Sequence, residues 1–317
     1  MSVSTSPNPS LSTVTNVGRL IGHTPLVELP RFAAGRARIF AKLEWFNPGG
    51  SVKDRIANAM LADAERRKLI APGGTIVEPT SGNTGVAFAM LAALKGYRCV
   101  IVMPEGYGRA KGLLMEAFGA QIIRTPAADL MSGAIQYARD LTAKTPGAWL
   151  PNQFSNPLNP QAHYETTGPE IWDALNGRVD AWVTGVGTTG TFTGVARFLA
   201  ERNPGILRVA AEPQGSILGG GERGPHAVEG VGLSFFPDIF DRSVIDEVIT
   251  IDDATAFATC RRLAREEGLL AGGSSGISAA AALRIAERLG PEKTVVTLFP
   301  DAAERYPEQG ILGMHEE

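Results

Sequence analysis

The sequence predicts an α/β protein: two doubly wound open-sheet lobes with a ligand cleft between them. Three observations lead there. Short β-branched or apolar runs alternate with stretches whose apolar residues recur three and four positions apart, the pattern of parallel strands joined by helices. The alternation occurs twice, from residue 47 to about 150 and from about 180 to 300. The interval 151–160 is rich in Pro and Asn and suits a crossing between lobes. Open sheets of this type hold ligands beyond the carboxyl ends of their strands, so the cleft is the expected site.

In chain order, the extended run 38–44 precedes a helix over 56–67. A strand at 75–77 feeds a helix over 85–94, and a strand at 100–102 feeds one over 112–118. The run 122–124 is followed by a helix over 133–141. In the second set, 181–183 feeds a helix over 193–200. A strand at 209–211 follows, then helices over 254–267 and 277–289, and the series closes with a strand at 295–299. The 37 glycines and 21 prolines fall mostly between these segments, as many short strand–helix junctions require. Residues 1–12 are rich in Ser, Thr, Pro and Asn, lack the basic-then-apolar order of a secretory signal, and read as a flexible tail.

Composition excludes several classes. A 44% hydrophobic and 20% charged chain of 317 residues can bury a sizeable core. Its net charge of -3 gives no reason to expect nucleic acid or an anionic membrane as partner. No apolar run approaches the roughly 20 residues of a membrane span. Cys99 and Cys260 lie far apart and outside any CxxC or CxxH pattern, which argues against a zinc site or a disulfide framework. Cys99 lies within an apolar run and reads as strand filler. This cysteine usage fits a reducing, cytoplasmic setting.

Four segments place glycine and hydroxyl residues at strand-to-helix junctions. Asn47-Pro48-Gly49-Gly50-Ser51-Val52-Lys53-Asp54-Arg55 puts Lys53 in the first turn of a helix, where the dipole disfavours a cation and so favours the neutral amine able to form a Schiff base. An arbitrary lysine is more often a solvated surface group. Pro79-Thr80-Ser81-Gly82-Asn83-Thr84-Gly85 brings N–H groups, hydroxyls and an amide to a helix start, either as an anion pocket or as an ordinary cap. Gly185-Val186-Gly187-Thr188-Thr189-Gly190-Thr191 offers close backbone approach and three hydroxyls, a good phosphate cradle. It lacks the Gly-Lys-Ser/Thr ending of a P-loop. It also matches GxGxxG by count, so a dinucleotide site is an alternative, with Glu212 as the acidic residue near the end of the next strand. Gly272-Gly273-Ser274-Ser275-Gly276 opens an alanine-rich helix and competes with a plain helix cap.

Together and in this order, the four segments resemble the cysteine synthase family of fold-type II pyridoxal-phosphate enzymes, a tryptophan synthase β-like architecture with cystathionine β-synthase as a near relative. The resemblance runs from Ile21-Gly22-His23-Thr24-Pro25-Leu26-Val27 to 301–306. It implies a smaller, mobile lobe over 47–154 and a larger one made of 24–46 plus 155–317. It implies pyridoxal 5'-phosphate as cofactor, bound through Lys53. Asn83 then bonds the cofactor's 3' oxygen, and Gly187, Thr188, Thr189, Gly190 and Thr191 hold its phosphate. Ser274 faces the pyridine nitrogen, while Thr80, Ser81, Gly82, Asn83, Thr84 and Gln153 surround the substrate carboxylate. A serine opposite the pyridine nitrogen cannot hold it protonated as a carboxylate would, which disfavours transamination and favours loss of a β leaving group. The implied reaction is β-replacement: Lys53 removes the α proton of O-acetylserine or O-phosphoserine, an aminoacrylate forms, and sulfide adds to give cysteine. The loop Val228-Glu229-Gly230-Val231-Gly232 resembles that of both cysteine synthases and cystathionine β-synthases, so homocysteine remains an alternative nucleophile. The resemblance further implies a homodimer; the residues do not decide whether a serine acetyltransferase binds.

Three places depart from the family pattern: His23 where asparagine is common, the stretch 106–110, and Ala302-Ala303 where a serine is often found. Two other classes compete with the leading reading. One is a non-catalytic relative that binds a partner through the cleft, against which Lys53, Asn83 and Ser274 all stand. The other is a nicotinamide dehydrogenase built on Gly185, Gly187 and Gly190.

Overall fold

The computed structural model describes residues 13–313; the stretch 1–12, expected as a tail, lies outside the described residues. Two sheets organise the chain. The larger has six strands in the order β1 (Leu26–Glu28), β2 (Arg38–Leu43), β10 (Thr294–Phe299), β7 (Ala181–Gly185), β8 (Leu207–Pro213) and β9 (Glu247–Ile251). Only the β1–β2 pair is antiparallel. The smaller sheet is wholly parallel, in the order β5 (Gln121–Thr125), β4 (Arg98–Pro104), β3 (Thr75–Pro79) and β6 (Ala148–Trp149).

Parallel strands need crossover helices, and the periodic segments supply them. In the four-stranded unit, α1 (Lys53–Arg66) packs on α2 (Asn83–Lys95), which also meets α3 (Arg109–Ala117), while α4 (Leu130–Lys144) packs against β3 and β4. α2 is buried from Thr84 to Ala92, so its pattern is almost uniformly apolar. Beneath it Phe88 meets Trp149 edge to face, with ring centroids 6.0 Å apart. The connection from β6 to β7 holds α5 (Leu158–Ala162), a π-helical turn (His163–Thr167) and α6 (Gly168–Ala174). In the six-stranded unit, α7 (Gly190–Arg202) follows β7, and α8 (Asp253–Glu267) packs on α9 (Gly273–Leu289). α9 crosses β7 and β10 and buries Gly273–Ala282, which explains its run of small residues.

The larger sheet takes strands from both ends of the chain: β1 and β2 precede the four-stranded unit, and β7 onward follow it. The chain therefore crosses between sheets just before α1 and again after β6. Helices that join parallel strands run antiparallel to them, so their N-termini gather at the strands' carboxyl ends. That edge carries the starts of α1, α2, α7 and α9, which are the four glycine- and hydroxyl-rich segments.

Candidate active site

Lys53 is the first residue of α1. Its approach is closed by Gly50, whose φ of 76° suits only glycine without strain, and by Asp54, whose carboxylate accepts the Gly49 N–H at 2.5 Å. Ser51 Oγ accepts the Lys53 N–H at 3.2 Å. The Lys53 amine reaches Thr188 Oγ1 at 3.4 Å, across the cleft on the loop after β7. Burial lowers its pKa to about 8, against the charges of Glu78 and Asp301. Loss of hydration, rather than the helix dipole, is thus the main reason the neutral amine becomes accessible. Glu78, fully buried on β3, is itself raised by burial to about 8.

A buried ionic cluster fixes the start of α1. Arg55 donates to both oxygens of Glu44, at 2.6 and 3.0 Å, and to both of Glu170, at 2.7 and 2.8 Å. Lys42 pairs with Glu170 at 2.7 Å, and Thr24 Oγ1 donates to Glu44 at 2.7 Å. Burial opposes charge on Glu170, but Arg55 and Lys42 outweigh it and hold its carboxyl at about 2. His23 joins through its backbone: at a φ of 47° its N–H donates to Glu170 Oε1 at 3.0 Å. Asparagine adopts that left-handed backbone readily, so this departure preserves the contact.

The loop between β3 and α2 carries Thr80 to Thr84. Thr84 Oγ1 donates to Gln153 Oε1 at 2.8 Å, which leaves the Gln153 amide N–H groups free for a ligand. Asn83 Nδ2 donates to Asp301 Oδ2 at 2.5 Å, and Asn83 Oδ1 accepts from Arg305 Nη1 at 2.9 Å. Tyr306 OH also donates to Asp301. Asp301 is fully buried, and burial raises its pKa despite Tyr306 and Asn83. The divergent stretch 106–110 opens α3 through Gly106 and Gly108, both at positive φ; a Cβ on Gly108 would strike the Ser81 carbonyl. Glycine there lets the turn after β4 rest on the Thr80–Thr84 loop. Ala302 and Ala303 are both buried, and Ala302 pairs with Ala271 in an isolated bridge.

The loop after β7 forms a cradle at the start of α7. Thr189 caps that helix at a φ of 71°, and its buried Oγ1 has no partner among the described residues. Gly187 lies so close to Gly230 that a Cβ would strike its carbonyl. Asn159 Nδ2 donates to Thr188 Oγ1 at 3.2 Å, and Thr191 Oγ1 bonds His163 Nε2 at 3.1 Å. His163 sits on the π-helical turn, a feature common at functional sites, with its Nδ1 2.9 Å from Thr167 Oγ1. Burial is the main reason that His163 titrates well below the usual histidine range.

These parts enclose a cavity of about 430 Å3 lined by Lys53, Thr80, Ser81, Gly82, Asn83, Thr84, Gln153, Gly187, Thr188, Thr189, Thr191 and Ser274. Of the residues expected to hold cofactor or substrate, Gly190 alone is off the wall; it lies behind it, where a Cβ would collide with Asn159. Tyr107, Asp301 and Tyr306 also line it, from the stretches 106–110 and 301–306, and so does Lys111, which carried no sequence signal. Lys111 is buried on α3, pairs with Glu229 at 2.6 Å and lies 3.9 Å over the Tyr306 ring. Glu212, the acidic residue a dinucleotide site would need, spends its carboxylate on the Leu218 and Gly219 N–H groups, each at 3.0 Å. Cys99 and Cys260 are both buried and free, with thiols pushed by burial to about 12.

The donor set fits a phosphorylated, aldehyde-bearing cofactor. An orphaned buried hydroxyl and a helix N-terminus with close backbone approach suit a dianionic phosphate, and a desolvated amine stands across the same cavity. Sequence comparison agrees. Residues 17–301 match the family model described as pyridoxal-phosphate dependent enzyme, and the chain belongs to that family. It is 43% identical over 302 residues to an O-acetylserine dependent cystathionine β-synthase of Bacillus subtilis strain 168, covering 95% of this chain and 98% of that one. It is 46% identical over 296 residues to a cysteine synthase of Staphylococcus aureus strain N315, covering 92% and 95%. The crystal structure of an O-acetylserine dependent cystathionine β-synthase from Helicobacter pylori superposes with a TM-score of 0.91 at 42% identity, covering 95% and 99%. The two-sheet α/β fold expected from the sequence is thus the fold of these relatives.

Proposed function

We propose that this chain catalyses β-replacement on an activated serine, forming a thioether or cysteine from a sulfur nucleophile. The observation that carries the reading is the meeting of Lys53 with the loop after β7 on the wall of one cavity, at 3.4 Å from Thr188. Pyridoxal phosphate, when bound, supplies an electron-accepting ring that acidifies the substrate's α C–H bond. Gly187, Thr188, Thr189 and Thr191 hold its phosphate at the start of α7, with Gly190 setting the approach of Asn159 behind them. Ser274, on the first turn of α9, faces the ring nitrogen as a neutral hydroxyl. Asn83, clamped between Asp301 and Arg305, presents its amide to the ring oxygen. The Thr80–Thr84 loop and the Gln153 amide take the substrate carboxylate.

Lys53 Nζ then serves as the base for the α proton and later returns it. Its lowered pKa suits that exchange, because a base poised near the working pH spends time in both protonation states. The four-stranded unit, residues 47–154, closes over the carboxylate and excludes water. The activating group we assign is a neutral acyl ester, as in O-acetylserine, which departs as a carboxylate monoanion. A phosphate would add a dianion to a cavity whose cations are already engaged, Lys53 by the cofactor and Lys111 by Glu229. We further propose a homodimer in a reducing cytoplasm, a setting supported by the two free buried thiols.

The test is spectral and chemical. Reconstituted wild type should show a visible cofactor band that is absent in Lys53→Ala, and should convert O-acetylserine with sulfide faster than O-phosphoserine. A colourless wild-type protein in excess cofactor would sink the reading.

A further inference from the structure

Asp301 lies just beyond β10 and is fully buried, yet it lines the cavity. Its Oδ2 accepts from two donors, Asn83 Nδ2 at 2.5 Å and the Tyr306 hydroxyl. Its Oδ1 has no partner among the described residues and lies against Gly272, where a Cβ would collide with it. Gly272 caps α9, so the positive end of a 17-residue helix favours a carboxylate there. Ala302 and Ala303 offer it no hydroxyl. Among the described residues, Asn83 and Tyr306 are thus the side chains that bond this carboxylate.

The same contacts decide which way the Asn83 amide points. Arg305 Nη1 donates to its Oδ1 at 2.9 Å, and that guanidinium also reaches the Gly49 carbonyl on the approach to Lys53. Turning the amide over would set its oxygen against Asp301 and its N–H groups against Arg305, so both neighbours oppose the turn. Asp301 takes one hydrogen of Nδ2, and the other is left for the cavity that Asn83 lines.

We propose that Asp301 is a positioning residue of the site: steadied by Tyr306, it holds the Asn83 amide so that a free N–H, and not the amide oxygen, meets the ring oxygen of the cofactor. This rests on the pyridoxal-phosphate reading of the cavity and on Asn83 as the partner of that oxygen. A donated N–H favours the ring oxygen as an anion, whereas an amide oxygen or a void there lets it keep its proton. The cofactor bound to a lysine absorbs in the visible in the first form and in the near ultraviolet in the second, so the protein's grip on one amide is read in the spectrum.

The test records both bands for the holoenzyme at one pH in wild type, Asn83→Ala, Asp301→Ala, Asp301→Asn and Tyr306→Phe, beside cofactor titration of each apoprotein. Asn83→Ala sets the full effect. Asp301→Ala should raise the ratio of near-ultraviolet to visible absorbance about threefold or more, the size of one net hydrogen bond. Asp301→Asn keeps an accepting oxygen and should restore part of the wild-type ratio. Tyr306→Phe removes one donor to Asp301 while keeping the ring beneath Lys111, and should move the ratio the same way by about twofold. Should Asp301→Ala fail to fold, Tyr306→Phe decides, and a wild-type ratio in it overturns the inference. So does an Asp301→Ala protein that binds cofactor more weakly with its bands unchanged, because a purely structural role predicts that. If Asn83→Ala itself leaves the bands as in wild type, the Asn83 assignment falls and takes this inference with it. A wild-type protein without a visible band brings down the pyridoxal-phosphate reading itself.

Discussion

At the scale of single residues, desolvation decides what Lys53 can do. Its position at a helix start disfavours a cation by tenths of a kcal/mol, whereas enclosure brings its pKa to about 8. A Schiff base forms from the neutral amine, which a lowered pKa makes plentiful as pH rises through that value. Cofactor uptake by the apoprotein, followed by visible absorbance in a stopped-flow mixer, should therefore accelerate as pH rises through about 8 and level off above it. A rate that stays flat between pH 7 and 9 contradicts the assignment. Gly187 gives a second residue-scale prediction. A Cβ there would meet the Gly230 backbone and force the cradle away from it, so Gly187→Ala should weaken cofactor binding by at least about tenfold, as read by titrating the apoprotein, and should also lower stability in denaturant unfolding.

At the scale of elements, the start of α1 is held by charges that no hydrophobic pattern reveals. Arg55 sits two residues after Lys53 and satisfies Glu44 and Glu170 together. Arg55→Ala leaves buried Glu44 and half-buried Glu170 short of their main partner and should cost about 3–5 kcal/mol in denaturant unfolding, with cofactor affinity falling as α1 loosens. A loss below about 1 kcal/mol would show that the cluster is not structural. The same cluster sets an acid limit. Glu170 titrates at about 2 in the folded protein against 4.5 when unfolded, so the unfolded chain binds more protons between those values. Its contribution is complete above pH 4.5 and is lost as pH falls toward about 2. Glu170→Gln should flatten the pH dependence of stability in that window. The departures from the family pattern also make sense as elements: His23 keeps its backbone bond to Glu170, Gly106 supplies a positive-φ turn, and Gly108 seats that turn on Ser81.

At the scale of the whole molecule, two sheets contribute different walls to one cavity, and few groups bridge them. Lys111, on the four-stranded unit, reaches Glu229 and Tyr306 on the other side. Removing it in Lys111→Ala should raise amide exchange in α3 by about threefold to tenfold, as a partly exposed ion pair is lost, and should raise KM for the activated serine. Unchanged exchange in α3 would mean that the bridge does not restrain that unit.

Periodicity and junction chemistry made much of this legible in the sequence. Strand–helix alternation depends on neighbours three, four or two residues apart, and the four glycine- and hydroxyl-rich segments are local in the same sense, so both could be read directly. The strands that escaped were β1, β6 and β9, which are two to five residues long and lie at sheet edges, where burial imposes little pattern. The extended run at 38–44 was visible, but its place between β1 and β10 was not, because pairing joins residues more than 250 apart. What the sequence by itself determined was the α/β class, the four junctions and the residue types a pyridoxal-phosphate site requires. Only the tertiary structure decided that Gly190 stands behind the wall, that Asp301, Tyr306 and Lys111 stand on it, and that Glu212 is spent inside a loop. Each of these depends on which distant groups meet, and partners brought together by long-range packing leave no trace in local spacing.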